Sequence, residues 1–498
     1  MTDLTHWIDG AETVRAGASQ PLLNPATGQE IGRVALADAA VVDEAVRGAA
    51  TAAESWGRTS LAKRMEVMFA FRQLLVEHTD ELAAIISREH GKTVPDAAGE
   101  IARGRESVDF ACGIASALKG EYSSNVSTGV DVHSVRQPLG VVAGITPFNF
   151  PVMVPLWMHP IAIACGNAFV LKPSERDPSA SNFVARLYQQ AGLPDGVFQV
   201  VHGGKDAVDA LLTHPGVSAV SFVGSTAVAT YVQQTAVAHH KRVQALGGAN
   251  NHAVVMPDAD MAFAAAQIAA GAFGSAGERC MAVPVAVAVG EAAGPLVEAL
   301  RAEAEAIVVG PGDEDRTTMG PLITRASRDR VVSFVDEAVD GGATAVVDGR
   351  GLTVPGHEEG FFVGPTVLTK VQPDMRAYCE EVFGPVLVVM EAETLEEAIA
   401  MVNATPYGNG TAIFTASGEA ARVFTEQIQV GMVGVNVPIP VPVGYYSFGG
   451  WKDSLFGDHH AHGPDAVRFY TRAKAITTRW PHQEQRALAA SLNFPGHS

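Results

Sequence analysis

Between Gly271 and Ala282 the chain reads G-A-F-G-S-A-G-E-R-C-M-A, a run of small residues around one cysteine, Cys280. The thiolate is the nucleophilic form of cysteine, and an adjacent guanidinium such as that of Arg279 favours it over the thiol. Most free cysteines are packing residues, so the run gains meaning only from residues elsewhere that can share a reaction with it. In T-P-F-N-F-P (146–151), Asn149 lies among aromatics and prolines, where a carboxamide must find partners or cost free energy. Its NH2 group can donate to an oxyanion, or it can brace a turn. L-K-P-S-E-R (171–176) sets Lys172 and Glu175 three residues apart after a strand-like run. Both side chains can reach ribose hydroxyls from there, unless the stretch is an ordinary surface loop. Gly224-Ser225-Thr226 opens a helix, and a helix N-terminus suits a pyrophosphate. Arg103 falls off the apolar stripe of its helix, as a solvated charge or a carboxylate-binding guanidinium would. His459, His460 and His462 match no metal-ligand spacing and read as a solvated loop, so no metal is expected.

The elements that must carry these residues follow from periodicity. Residues 39–90 show apolar residues at three- and four-residue spacing and read as helices, followed by another over about 97–118. From residue 141 onward, strands at 141–145, 167–172, 198–201, 219–223 and 252–256 alternate with helices at 178–191, 206–213, 226–237 and 260–273, with Asp260 as an N-cap. That alternation predicts a parallel, doubly wound sheet. Past Cys280 the pattern restarts and runs to about residue 437, which predicts a second α/β domain with Cys280 close to the junction. Clefts between domains are common ligand sites. The stretch 468–479 is β-rich and is expected to pair with 130–137 or with another subunit; the residues from Pro481 read as a loose tail.

At 498 residues with 47% apolar and 18% charged content, the chain has the make-up of a multidomain globular protein. A formal charge of −19 argues against nucleic acid or an anionic membrane as partner. Cys112, Cys165, Cys280 and Cys379 are scattered, which fits a reducing, cytoplasmic setting. No basic n-region precedes an apolar run at the N-terminus. The uncharged segment 137–171 is broken by five prolines and reads as buried strands and turns rather than a membrane span.

Taken together, T-P-F-N-F-P, L-K-P-S-E, F-V-G-S-T, A-G-E-R-C and E-V-F-G-P (381–385) resemble, in order and spacing, the aldehyde dehydrogenase superfamily, from about Asn24 to the Thr471 region. The resemblance implies two doubly wound α/β domains and a small β arm. A Rossmann-like NAD-binding domain would span 1–120 and 138–245, a catalytic domain 246–455, and an oligomerisation arm 121–137 and 466–480. It implies Cys280 as nucleophile and an oxyanion hole from Asn149 and the Cys280 N–H. Phe148, Lys172, Glu175, Arg176, Ser225, Gly247 and Glu381 would bind NAD. Glu175 facing a ribose would repel a 2′-phosphate, so NAD is expected over NADP. Ala229 departs from the glycine that often closes the G-S-T-x-x-G pattern.

A second departure concerns the reaction's outcome. Hydrolytic members of the family carry Glu-Leu-Gly-Gly where this chain has Ala245-Leu246-Gly247-Gly248, and no glutamate occurs between Glu175 and Glu278. Without a positioned base, attack of water on a thioacyl enzyme loses roughly 10²–10⁴-fold. Transfer to a thiol, coenzyme A, is therefore expected, with hydrolysis assisted by Glu278 or Glu381 as the alternative. Together with G-E-R-C-M-A, V-Q-A-L-G-G-A-N-N-H and S-F-G-G-W-K-D-S-L-F-G, this resembles the CoA-acylating methylmalonate-semialdehyde branch. There the arginines matching Arg103 and Arg279 hold the substrate carboxylate. That branch implies oxidation of malonate or methylmalonate semialdehyde through a thioacyl enzyme that loses CO2, yielding acetyl-CoA or propionyl-CoA, within valine or inositol catabolism, in a homo-oligomer (dimer or tetramer).

Overall fold

The computed structural model describes residues 2–15 and 17–480; the tail read from Pro481 lies outside the described residues. Two large sheets dominate. In the first, five parallel strands, Arg242–Leu246, Val217–Val223, Val141–Ile145, Ala168–Lys172 and Phe198–Val200, lie side by side. Leu455–Phe456 closes one edge antiparallel, and the hairpin His6–Ile8 with Ala11–Thr13 closes the other. In the second, Thr366–Thr369, Val386–Ala392, Val285–Val289, His252–Val255, Gly410–Phe414 and Met432–Val435 run parallel, with Thr344–Val347 antiparallel at one edge. Strands such as V-V-A-G-I and V-A-V-A-V are buried along their whole length. Helices cover both faces of such sheets, so continuous apolar runs replace in–out alternation.

A third sheet stands apart. Thr471–Arg479 pairs antiparallel with Val130–Pro138 along the full register from Thr471 opposite Pro138 to Arg479 opposite Val130, and Tyr122–Ser127 flanks the other side. Of the two partners expected for 468–479, the one seen is therefore this chain's own 130–138 strand. Residues 468 and 469 instead end the helix Gly463–Phe469.

The helices expected over 39–90 are Ala39–Trp56, Leu61–Glu77 and Thr79–His90, and Asp260 caps its helix by accepting the Phe263 N–H at 3.1 Å. The helix expected over 97–118 is Val94–Cys112, interrupted at Gly113 before a single turn, Ile114–Ala117. The largest difference lies in the uncharged segment. Residues Met153–Ala164 form a helix, every residue of it buried, not strands and turns. Pro155 falls in its first turn, where no intrahelical N–H is needed, so only Pro160 breaks the ladder. The strand Arg242–Leu246, which ends at Ala245-Leu246, also lacked a sequence signal, because Gln244 and Arg242 interrupt its apolar run. No helix among the described residues is long and apolar enough to cross a membrane.

Candidate active site

The helix Met261–Phe273 ends at Gly274, and Ser275, Ala276 and Gly277 follow with φ of 52°, 51° and 74°. Left-handed backbone costs an L-residue about 1 kcal/mol or more, so the loop before Cys280 stores strain in two non-glycine residues. Two side-chain amides secure its far end. Asn251 Nδ2 donates to the Cys280 carbonyl at 3.0 Å and to that of Ala282 at 2.8 Å, and Asn409 Nδ2 reaches the Cys280 carbonyl at 3.1 Å. Neither asparagine stands out in the sequence; A-N-N-H and G-N-G look like turns until their strands are placed.

Cys280 lies where two cavities meet. One, about 460 Å³, is walled by Phe150, Met153, Trp157, Met281 and Phe448, with Arg103 and Arg279 on its rim. The other, about 260 Å³, is lined by Phe148, Asn149, Gly224, Ser225, Gly247, Gly248, Glu381 and Phe383. Most residues singled out in the sequence thus gather around one sulfur, from both large sheets.

On the first side the arginines are not free. Arg279 Nη2 donates to Asp96 Oδ1 at 2.6 Å, and Asp96 Oδ2 is buried without a partner. Arg103 Nη1 donates to Glu106 Oε1 at 2.7 Å and Nη2 to the Val441 carbonyl at 3.0 Å. A guanidinium has five N–H groups, so Arg279 keeps donors for an incoming carboxylate. Asp96 and Glu106 were not foreseen: only folding brings residue 96 against residue 279.

The environment of the thiol also differs from expectation. Burial pushes Cys280 up to about 12, the nearby Glu381 carboxylate adds to the rise, and Arg279, turned toward Asp96, opposes it only weakly. The guanidinium next in sequence therefore does not make this cysteine a resting thiolate. Glu381 itself is lifted to about 7 by burial, against the hydrogen bond it accepts from the Ala249 N–H at 3.1 Å. A Cβ at Gly248 would come within 2.6 Å of the Glu381 carboxylate, so glycine there allows its approach. Glu278 is completely buried, lifted by burial to about 8, with only a 3.4 Å contact from the Ile323 N–H. It lines neither cavity. Ala245 is fully buried and pairs in register with Phe222 and Phe456, presenting a methyl group.

On the second side, Ser225 is the N-cap of Thr226–Ala238 and makes no side-chain capping bond, leaving that helix start open toward the cavity. Thr226 Oγ1 instead accepts the Gly248 N–H at 2.9 Å, joining the helix start to the Gly-Gly turn. Arg176 lies over the Phe148 ring at 5.3 Å, and Phe383 meets that ring edge-on at 5.9 Å. Lys172, almost wholly buried, donates to the Gly203 carbonyl at 3.1 Å and to Glu175 at 3.3 Å. Arg330, a residue without a sequence signal, ties the Glu381 segment by donating to the carbonyls of Glu381 at 2.6 Å and Val382 at 2.8 Å. An open helix start, a glycine turn and the buried Lys172 ammonium paired with the half-buried Glu175 fit a dinucleotide.

The chain is similar to known proteins over almost its whole length. The model of the aldehyde dehydrogenase family matches residues 13–476. A malonate-semialdehyde dehydrogenase of Pseudomonas aeruginosa is 53% identical over 496 residues, covering 99% of this chain and 100% of that protein. Among solved structures, the methylmalonate-semialdehyde dehydrogenase of Oceanimonas doudoroffii superposes with a TM-score of 0.96 at 55% identity, over 98% of this chain and 100% of that one. A Sinorhizobium meliloti protein provisionally assigned the same activity, crystallised with NAD, gives a TM-score of 0.96 at 50% identity, over 97% and 99% of the two chains.

Proposed function

The chain belongs to the aldehyde dehydrogenase family, and from that premise we propose that it oxidises malonate or methylmalonate semialdehyde with NAD and passes the acyl group to coenzyme A. The observation that carries this reading is Ala245: a buried methyl where hydrolytic relatives keep the acid that activates water. The relatives at about half identity, named for these two semialdehydes, support the same substrate class.

NAD, when bound, supplies the hydride acceptor, and coenzyme A the thiol that accepts the acyl group. The protein's own residues do the rest. Cys280 adds to the aldehyde carbon as thiolate, and the Asn149 carboxamide with the Cys280 N–H holds the resulting oxyanion. Preorganised donors of this kind are typically worth about 10²–10³ in rate each. Arg279 and Arg103 orient the substrate carboxylate from the rim of the larger cavity. Phe148, Arg176, Ser225, Gly247, Lys172 and Glu175 position the dinucleotide, and Glu381 takes its nicotinamide ribose. After oxidation the acyl group rests on Cys280 as a thioester with a carboxylate one carbon removed; loss of CO2 leaves the electron pair in the thioester enolate, which takes up a proton before the acyl group is transferred. In this reading residues 1–120 and 138–245 serve as the NAD domain and 246–455 as the catalytic domain. The arm, 121–137 and 466–480, joins copies into a cytoplasmic homo-oligomer; four cysteines without disulfide bonds suit that compartment.

Glu381, with a pKa near neutrality and lining the same cavity as the thiol, favours a second reading in which it activates water and a free acid is released. Rapid mixing with NAD and semialdehyde decides between them. The first reading gives one NADH per active site, then a steady rate at least about 10²-fold below that with CoA, and acyl-CoA as product by mass. Full steady turnover to free acid without CoA would refute it.

A further inference from the structure

Asn149 is nearly buried, yet among the described residues no protein hydrogen bond orients its side-chain carboxamide; the bond it makes is accepted by its main-chain carbonyl. Something else must aim it. Lys92 Nζ, fully buried, donates to that carbonyl at 2.7 Å and to Glu100 Oε2 at 2.7 Å, and lies 4.4 Å over the Phe150 ring. The other carboxylate oxygen, Glu100 Oε1, accepts the N–H groups of Val152 at 2.8 Å and Met153 at 3.1 Å. These are the start of the buried helix Met153–Ala164, which no side chain of its own caps. One ion pair thus holds the 149–153 turn at both ends.

The pair rests on fixed backbone. Gly91 ends the helix Thr79–His90 in the left-handed region at φ 92°, Ser87 Oγ donates to the Lys92 carbonyl at 2.8 Å, and the Val94 N–H donates to the Gly312 carbonyl at 3.0 Å. Glu100 sits two turns into Val94–Cys112. A fully buried ion pair gains little stability over an apolar pair of the same volume, because desolvation offsets the attraction. Geometry is what an apolar pair could not supply here.

We infer that Lys92 and Glu100 are positioning residues that fix the Asn149 carboxamide toward the oxyanion formed at Cys280. This rests on the role proposed above for Asn149. Displacing a catalytic donor by about 1 Å costs on the order of 10² in rate. The test is the single-turnover rate of NADH formation in Lys92→Met/Glu100→Gln, a neutral pair that keeps an acceptor for the helix start but removes the tether, measured with and without Asn149→Ala. Expected is a loss of about 10²-fold with the tether removed in the presence of Asn149. In the Asn149→Ala background the further loss is under about twofold, because the tether acts only through that donor. Alkylation of Cys280 and NAD binding stay unchanged. Lys92→Arg, which keeps the buried charge but moves the donor, gives a smaller loss in the same direction. An unchanged rate without the tether, or an equal loss with and without Asn149, overturns the inference. If Asn149→Ala alone leaves the rate intact, it is the oxyanion role that fails.

Discussion

A thiol raised to about 12 is almost entirely protonated at neutral pH, so Cys280 should react only as fast as its small thiolate fraction allows. In protein carrying Cys379→Ser, which removes the exposed cysteine, carboxamidomethylation of Cys280 should rise about tenfold per pH unit between 7 and 9 without levelling off. Glu381→Gln removes the charge that disfavours the thiolate and speeds the reaction above pH 7. Below that it changes little, since Glu381, at about 7, is already protonated there. A plateau near pH 7 in the parent would contradict this account. The arginines give a second test. Arg279 is less exposed than Arg103, and removing it strands Asp96 beside the substrate's own carboxylate. Charge-assisted hydrogen bonds are worth about 1.5–3 kcal/mol. Arg279→Leu should therefore raise KM for a semialdehyde acid about 10²-fold and Arg103→Leu about tenfold, with propanal unaffected. Asp96→Asn in the Arg279→Leu background restores part of the loss. Equal effects on propanal would remove the clamp.

The loop from Gly274 to Cys280 shows how an element differs from the sum of its residues. Its small residues and its glycines are visible in the sequence, but the left-handed turns at Ser275 and Ala276 are not, because neither residue favours them. Asn251 and Asn409, each the residue just before a strand of the second sheet, hold the loop in that form. The loop also buries Glu278, an acid that the sequence offered as a possible base. Its folded pKa of about 8 lies above the usual value of 4.5, so the folded state binds its proton more tightly than the unfolded chain does. Its contribution to stability is whole below about pH 4.5 and is lost as pH rises through 8. Glu278→Gln should accordingly leave the unfolding midpoint unchanged at pH 4.5 and raise it at pH 8.5. The remaining decline between 4.5 and 7 would reflect Glu381. A midpoint raised equally at both pH values would mean that the carboxyl is not titrating in place.

At the scale of the molecule, the arm presents an edge strand, Thr471–Arg479, that pairs on one side only among the described residues, with Trp480, 80% exposed, directly after it and Tyr122, 65% exposed, on the strand at the sheet's other edge. Unpaired strand edges and exposed aromatics mark contact surfaces. Light scattering on the eluted protein should give a multiple of 52.1 kDa, and a chain ending at Tyr470 should fall to the monomer; a monomeric full chain would dismiss the arm as an interface. How much of this molecule was written in the sequence follows from the range of each interaction. Strand–helix alternation is a local pattern, set by side-chain periodicity, and it sufficed for the fold class; the cysteine loop and the alanine at position 245 are equally local, but they acquire a chemical meaning only through the resemblance of the ordered motifs to one family. The helix Met153–Ala164 escaped because its burial on all sides erases periodicity and its prolines mimic a loop. Beside near pairs such as Lys172 with Glu175, several contacts that shape the site's electrostatics join residues far apart in the chain: Asp96 with Arg279, Lys92 with Asn149, Glu381 with Ala249. Residue types announce which groups are present, but a pKa or a donor's aim depends on what burial brings within a few ångströms, and that only the tertiary structure decided.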